Sequence, residues 1–177
     1  MKPLRLLALA LVLIGLIGLL TKPVVSRIVI SKSDRTLTAY SLDGRVLKQY
    51  AIVLGNNVSG PKQREGDRHT PEGEYYVCFK NPQSRFHLSL GLSYPNLTDA
   101  QRGLAEEVIS EEEYRLIAEA QRRKQIPPWK TALGGEIFIH GGKDTREATA
   151  GCIATSDQDI EEIFPLVELG TPVMIEP

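Results

Sequence analysis

Apolar and polar positions alternate with a period near two through the first half of the chain, shift to helical spacing between Thr98 and Gln125, and return to short apolar runs afterwards. Arg27 to Ile30 and Thr36 to Tyr40 are rich in branched apolar residues on either side of a polar turn at Lys32 to Asp34, so both read as strands. Asp43-Gly44 is a two-residue hairpin signal leading into a third strand, Val46 to Leu54. The chain therefore opens as a β-meander. Pro71 presets one turn dihedral and Gly73 takes a positive one, so Thr70 to Gly73 predicts a turn into a strand from Glu74 to Lys80. Tyr75 to Phe79 is apolar on both faces, as expected of a strand buried on two sides. Phe86 to Leu92 is the next strand, with His87 read as a packing residue.

Helical spacing begins near Asp99 to Val108 and is clearest after Ser110, where Ser110 and Glu113 form a capping box ahead of Tyr114, Ile117, Ala118 and Ala120. Pro127-Pro128 ends that helix, and the cations Arg122, Arg123 and Lys124 suit its solvated C-terminal end. The insertion is either a lid over a substrate or a cover for a sheet edge. Ser156 to Asp159 caps a later helix with Ile160, Ile163, Phe164 and Val167 inward, Pro165 kinks or ends it, and Pro172 to Ile175 reads as a last strand. The fold class is mainly β with a helical insertion, an α+β domain over residues 26–177.

Residues 1–25 stand apart. Met-Lys-Pro-Leu-Arg precedes an uncharged run from Leu6 to Leu20, which as a helix spans about 22 Å against about 30 Å for a bilayer core. Extending it to Val25 takes in Lys22, whose long side chain snorkels. The basic start sends the following domain out of the cytoplasm, and no small-x-small cleavage site follows Leu20. We expect an uncleaved inner-membrane anchor in preference to a removed signal peptide, with the domain on the extracytoplasmic side.

All 22 acidic residues, and all but Lys2 and Arg5 of the 21 basic ones, follow the run Leu6 to Leu20, so the domain is slightly acidic. No basic stripe interleaves with aromatics, which argues against a nucleic-acid partner. Three histidines and two cysteines fall in no ligand spacing, and Asp67 with His69 is too few, so neither a metal nor another cofactor is expected.

One stretch concentrates the chemistry. Ile137, Phe138 and Ile139 deliver His140 into Gly141-Gly142, and a polar loop leads to Thr149-Ala150-Gly151-Cys152. A thiol is a nucleophile as the thiolate, and a histidine within hydrogen-bond reach takes its proton. Small residues let backbone N–H groups approach a developing oxyanion, for which Gly151 and Cys152 are candidate donors. The plainer reading has His140 ending a core strand and Cys152 as a small buried hydrophobe. Cys78, the other cysteine, is expected on a strand as an inert thiol; a bridge between Cys78 and Cys152 would silence the nucleophile.

The series Ile-Phe-Ile-His-Gly, loop, Thr-x-Gly-Cys-Ile resembles the signature of the L,D-transpeptidase (YkuD) family of peptidoglycan enzymes. Gly66-Asp67-Arg68-His69-Thr70-Pro71-Glu72-Gly73 is similar to the family's GD-x-x-TPEG hairpin, and Ser93-Tyr94-Pro95-Asn96 and Asp159 to Ile163 match in order. The similarity runs from Arg27 to the C-terminus. The resemblance implies a sandwich-like meander carrying Cys152 as nucleophile and His140 as base, with a backbone carbonyl near Gly141 orienting the imidazole. It also implies Tyr94 near the acyl pocket, and Thr149, Ala150 and Gly151 around the oxyanion. We read the TPEG turn as support, not chemistry, with His69 an exposed bystander and Trp129 either lining the cleft or plugging the core.

Two departures bear on the second half-reaction. Many family members carry His or Arg in place of Ala150, and Arg or Asn in place of Ala154; alanine at 154 resembles a branch that includes the enzyme detaching a wall-linked lipoprotein. The implied activity is L,D-transpeptidation of peptidoglycan stem peptides through an acyl-enzyme. The alternatives are a carboxypeptidase or amidase using the same site, with a wall-linked lipoprotein as a further partner, and an idle wall-binding module.

Overall fold

The computed structural model describes residues 24–56, 59–145 and 148–177. The expected membrane anchor lies almost wholly outside them, and among the described residues no helix is long and apolar enough to cross a membrane.

The meander forms as the alternation predicts. β1 (Arg27–Ser31), β2 (Thr36–Tyr40) and β3 (Val46–Ala51) are antiparallel neighbours, and their inward residues Ile28, Ile30 and Leu37 are fully buried. The β2–β3 turn differs from the two-residue hairpin expected. Only Gly44 takes a positive φ, of 82°, and Ser41 N–H donates to Arg45 C=O at 2.9 Å, so the loop holds three residues and ends on a left-handed glycine.

β4 (Gly73–Ser84) and β5 (His87–Leu92) pair antiparallel, followed by the short strands β6 (Phe138–His140), β7 (Ile153–Ala154) and β8 (Pro172–Glu176). The sheet order is β3-β2-β1-β8-β4-β5-β6-β7. The last strand thus sits in the middle, parallel to β1 and antiparallel to the start of β4. Register shifts at Val77/Phe79 and Asn81/Ser84 bend β4 while it passes from β8 to β5. The bend curls the sheet until its ends meet: Val53 and Ala154 exchange both backbone hydrogen bonds, each 2.8 Å. Instead of the two facing layers of a sandwich, one curled eight-stranded sheet encloses the core. Its interior is Leu90, Leu92, Ile139, Ile153, Val173 and Ile175, each contributing about 1.5–3 kcal/mol by burial, and Ile160 and Ile163 of helix Asp157–Ile163 pack into it.

The helical insertion comprises α1 (Leu97–Ala105) and α2 (Glu111–Arg122), both with capping boxes, on Asn96 and Ser110. They bury a second cluster of Ala100, Ile109, Ile117 and Leu133. Gln121 Nε2 donates to Ser93 and Pro95 carbonyls, and Tyr76 O–H reaches the carbonyls of Ala120 and Gln125, fixing the pair against the sheet. The helix Asp157–Ile163, α3, is capped by Ser156 and passes into a single 3₁₀ turn containing Pro165.

Candidate active site

Register brings the candidate residues together. β6 lies between β5 and β7, with Ser89 opposite His140, Gly91 opposite Phe138, and the parallel pairs Ile139–Ile153 and His140–Ala154. Alternate residues of a strand share a face. Leu90, Ile139 and Ile153 therefore point into the core, whereas Ser89, Phe138 and His140 point the other way, as does Cys152, one residue ahead of Ile153. These four line one cleft of about 390 Å³ together with Asn81, Ser84, Arg85, Phe86 and Glu136. Cys152 is half-buried, and its thiol donates to the Glu136 carbonyl at 3.6 Å.

His140 is 1% exposed and held on two sides. Its Nδ1 lies 2.5 Å from the Gly141 carbonyl. A carbonyl only accepts, so the proton belongs on Nδ1 and the lone pair on Nε2. The Phe86 ring stacks on the imidazole with centroids 4.6 Å apart and planes 25° off parallel, and the Arg85 guanidinium lies over the Phe86 ring, 4.6 Å from its centroid. Asp157, at the start of α3, accepts from Gly142 N–H at 2.8 Å. A side chain on Gly141 would strike that carboxylate and, at 2.9 Å, the Phe86 carbonyl, so only glycine fits there.

The loop before Cys152 is fastened by Thr149, whose hydroxyl donates to the Cys152 carbonyl at 2.6 Å and accepts from Gly151 N–H at 3.1 Å. Gly151 has φ 125°, and a Cβ there would sit 2.7 Å from the His69 carbonyl. The GD-x-x-TPEG hairpin therefore packs directly behind the cysteine loop. Lys32, 2% exposed, donates to the Gly60 and Thr70 carbonyls and to Glu72 Oε1 at 2.6 Å. Lys62, equally buried, donates to the Arg64 carbonyl and to Asp67 Oδ1 at 3.0 Å. Burial pulls the Asp67 carboxyl up, but the N–H groups of Arg64, Gln63 and His69 together with the Lys62 ammonium outweigh it and hold it at about 2.

With fold and cleft in view, comparison with known proteins is decisive for the family. Residues 25–175 match the family described as YkuD, the L,D-transpeptidase catalytic domain. The chain belongs to the L,D-transpeptidase (YkuD) family. The putative L,D-transpeptidase YafK of Escherichia coli K12 is 30% identical over 143 residues, covering 78% of this chain and 45% of YafK, so the chain spans about half of that relative. Bdellovibrio bacteriovorus Bd1075 superimposes with a TM-score of 0.57 at 21% identity, over 86% of this chain and 48% of that one. An L,D-transpeptidase from Mycobacterium smegmatis gives 0.50 at 14%, over 85% and 58%. The two structures share the fold.

Against this L,D-transpeptidase frame several sequence expectations change. Tyr94 does not reach the cleft: it is fully buried, and its hydroxyl donates to the Leu133 carbonyl at 3.0 Å. Gly151 does not turn its N–H toward the cleft, because Thr149 takes it. Thr149 is itself buried and Ala150 is exposed, and neither lines the cleft. His69 is half-buried, not exposed, with Nδ1 3.2 Å from the Gly60 carbonyl. His87 is exposed at φ 73°, and its Nε2 meets Glu161 at 2.6 Å. No residue of α1 or α2 lines the cysteine cleft, so the insertion covers the sheet elsewhere. Cys78 is half-buried on β4 and unbridged; burial pushes its thiol up to about 12.

Phe86, Arg85 and Asp157 escaped the sequence reading. Phe86 reads as the first residue of a strand, though the strand begins at His87; Arg85 lies in the polar turn before it, and Asp157 reads as ordinary helix capping.

Proposed function

We propose that this protein is a cysteine-dependent L,D-transpeptidase of the cell envelope, acting on peptidoglycan stem peptides through a thioester on Cys152. The observation that carries the reading is the common face of β6 and β7, which puts a thiol and an imidazole with Nε2 as its basic nitrogen in one peptide-sized cleft.

In the first step Nε2 of His140 takes the Cys152 proton and the thiolate adds to the peptide carbonyl after the L-centre of diaminopimelate. Collapse of the tetrahedral intermediate breaks the C–N bond, and the imidazolium gives its proton to the departing D-alanine. An incoming amine then loses its proton to His140, attacks the thioester and releases the sulfur. The Gly141 carbonyl stabilises the imidazolium between the steps. The apolar segment Leu6 to Leu20 serves as the membrane anchor that keeps the domain at the wall.

Cys152→Ala abolishes turnover of a tetrapeptide stem while leaving the folded circular dichroism spectrum, and the wild type gains the mass of one carbapenem on Cys152. Absence of that adduct overturns the assignment. Chromatography of muropeptides reads the acceptor: 3–3 crosslinked dimers identify the transferase, and trimmed monomers alone identify a hydrolase using the same thioester.

A further inference from the structure

The peptide unit between Gly141 and Gly142 is gripped from two sides. Its carbonyl accepts from His140 Nδ1 at 2.5 Å, and its N–H donates to Asp157 Oδ1 at 2.8 Å. The carbonyl and N–H of a trans peptide point in opposite directions, so carboxylate, peptide and imidazole form one continuous chain of hydrogen bonds.

Helix capping does not account for Asp157. The cap of α3 is Ser156, whose hydroxyl accepts from Asp159 N–H at 3.1 Å, and Asp159 in turn accepts from the Thr155 hydroxyl at 2.9 Å. Asp157 is turned instead toward the end of β6. Its seat there is rigid: Thr155 N–H donates to the His140 carbonyl at 2.8 Å and Lys143 N–H to the Thr155 carbonyl at 2.9 Å, which staples the lead into α3 to the strand on either side of the glycine pair. Ile160 and Ile163 anchor the helix in the core.

The base itself is almost sealed from water, and a buried imidazolium has little solvent over which to spread its charge. The Gly141 carbonyl is a neutral dipole. A carboxylate that accepts from the N–H of the same amide pushes electron density onto that carbonyl oxygen and strengthens it as the acceptor for Nδ1–H. The other charged groups around the site are placed differently. Arg85 lies over Phe86, Glu161 meets His87, Asp159 holds Thr155, Lys143 Nζ donates to the Ala51 carbonyl, and Glu136 lines the cleft beside the Cys152 thiol. Asp157 differs from them in being bonded to the very peptide that orients the imidazole.

We infer that Asp157 is a positioning residue for His140, its charge relayed through the Gly141–Gly142 peptide so that Nε2 becomes a stronger base and the imidazolium is stabilised. The inference rests on the proposed use of His140 as the base. No proton crosses the peptide: Nδ1 and Gly142 keep their hydrogens, Asp157 stays ionised, and Nε2 alone gains and loses a proton.

The test reads the imidazole directly. Full-length Cys152→Ala protein labelled with ¹⁵N-histidine is titrated by NMR in detergent micelles, the His140 signals being those that vanish in His140→Gln. Asp157→Asn keeps an acceptor oxygen and removes the charge; it is expected to lower the midpoint of the His140 titration by about one pH unit and to move the Nδ1 proton upfield. Ser156→Ala removes the α3 cap, leaves Asp157 in place and is expected to change neither. Both readouts unmoved in Asp157→Asn, or moved equally in Ser156→Ala, overturn the relay. With Cys152 restored, carbapenem acylation of Asp157→Asn is expected to be about threefold slower at its plateau, with the acid limb of its pH profile displaced to lower pH. A slower plateau on an unmoved limb marks a merely structural role and also overturns the relay. Normal acylation of wild type with an unmoved imidazole sinks the relay and leaves the thioester reading standing, whereas a shifted imidazole without any acylation of wild type upholds the relay and sinks the thioester.

Discussion

The imidazole of His140 lies nearly parallel to the ring of Phe86, 4.6 Å away, so a residue from the β4–β5 turn fixes the plane of a side chain on β6. The contact restricts the ring while the Gly141 carbonyl sets the position of its proton.

Removing the stacked ring frees the imidazole without touching its hydrogen bond. Phe86→Ala is expected to lower kcat on a stem peptide about tenfold, the size of one lost aromatic contact, and Phe86→Tyr to restore most of it. Steady-state kinetics of the two variants, with KM recorded separately, checks this.

The two thiols differ in environment and are expected to differ in chemistry. With its thiol pushed up to about 12, Cys78 is almost entirely protonated at neutral pH. Iodoacetamide at pH 7.5 is expected to alkylate Cys152 and spare Cys78 in the folded protein, and to modify both once the chain is unfolded in urea. Peptide mass mapping reads the sites.

Asp67 gives the hairpin a pH signature. Its folded value of about 2 lies below the ordinary 3.8, so its stabilisation is complete above about pH 5 and is lost as pH falls through about 2. Urea unfolding between pH 2 and pH 6 is expected to show stability declining on the acid side, with that part of the decline missing in Asp67→Asn. Because the His69 carbonyl abuts Gly151, the same variant is expected to lose activity at pH 7 as well.

Lys32→Met leaves the Gly60 and Thr70 carbonyls and the Glu72 carboxylate without their shared donor. A loss of about 3 kcal/mol is expected by chemical denaturation, partly recovered in the double variant Lys32→Met with Glu72→Gln, where no uncompensated charge remains.

Local chemistry was legible in the sequence; long-range pairing was not. The Ser110–Glu113 box and the Ser156 cap are contacts within one turn, and both form where the residue types place them. The β2–β3 turn was misjudged because Asp43-Gly44 fits either a two-residue loop or the end of a three-residue one, and only the Ser41–Arg45 bond decides. That β8 enters between β1 and β4 is a choice among buried strands of similar composition, which no alternation pattern encodes. Tyr94 follows the same logic: an amphipathic side chain suits a cleft or a core, and the Leu133 carbonyl supplies the partner that lets the core win. His140 and Cys152 were both visible as reactive types, but their common face follows from the parallel pairing of a two-residue strand.

The joined ends of the sheet also limit how an extended ligand can lie. Ala154 has given both its amide and its carbonyl to Val53, so this border offers no ladder rung to an incoming chain. Recognition by strand addition is closed there, and a ligand must instead cross the strands and be read by side chains projecting from them. Selectivity in this protein is accordingly a matter of the residues along that crossing, and exchanging them retunes it without disturbing the frame beneath.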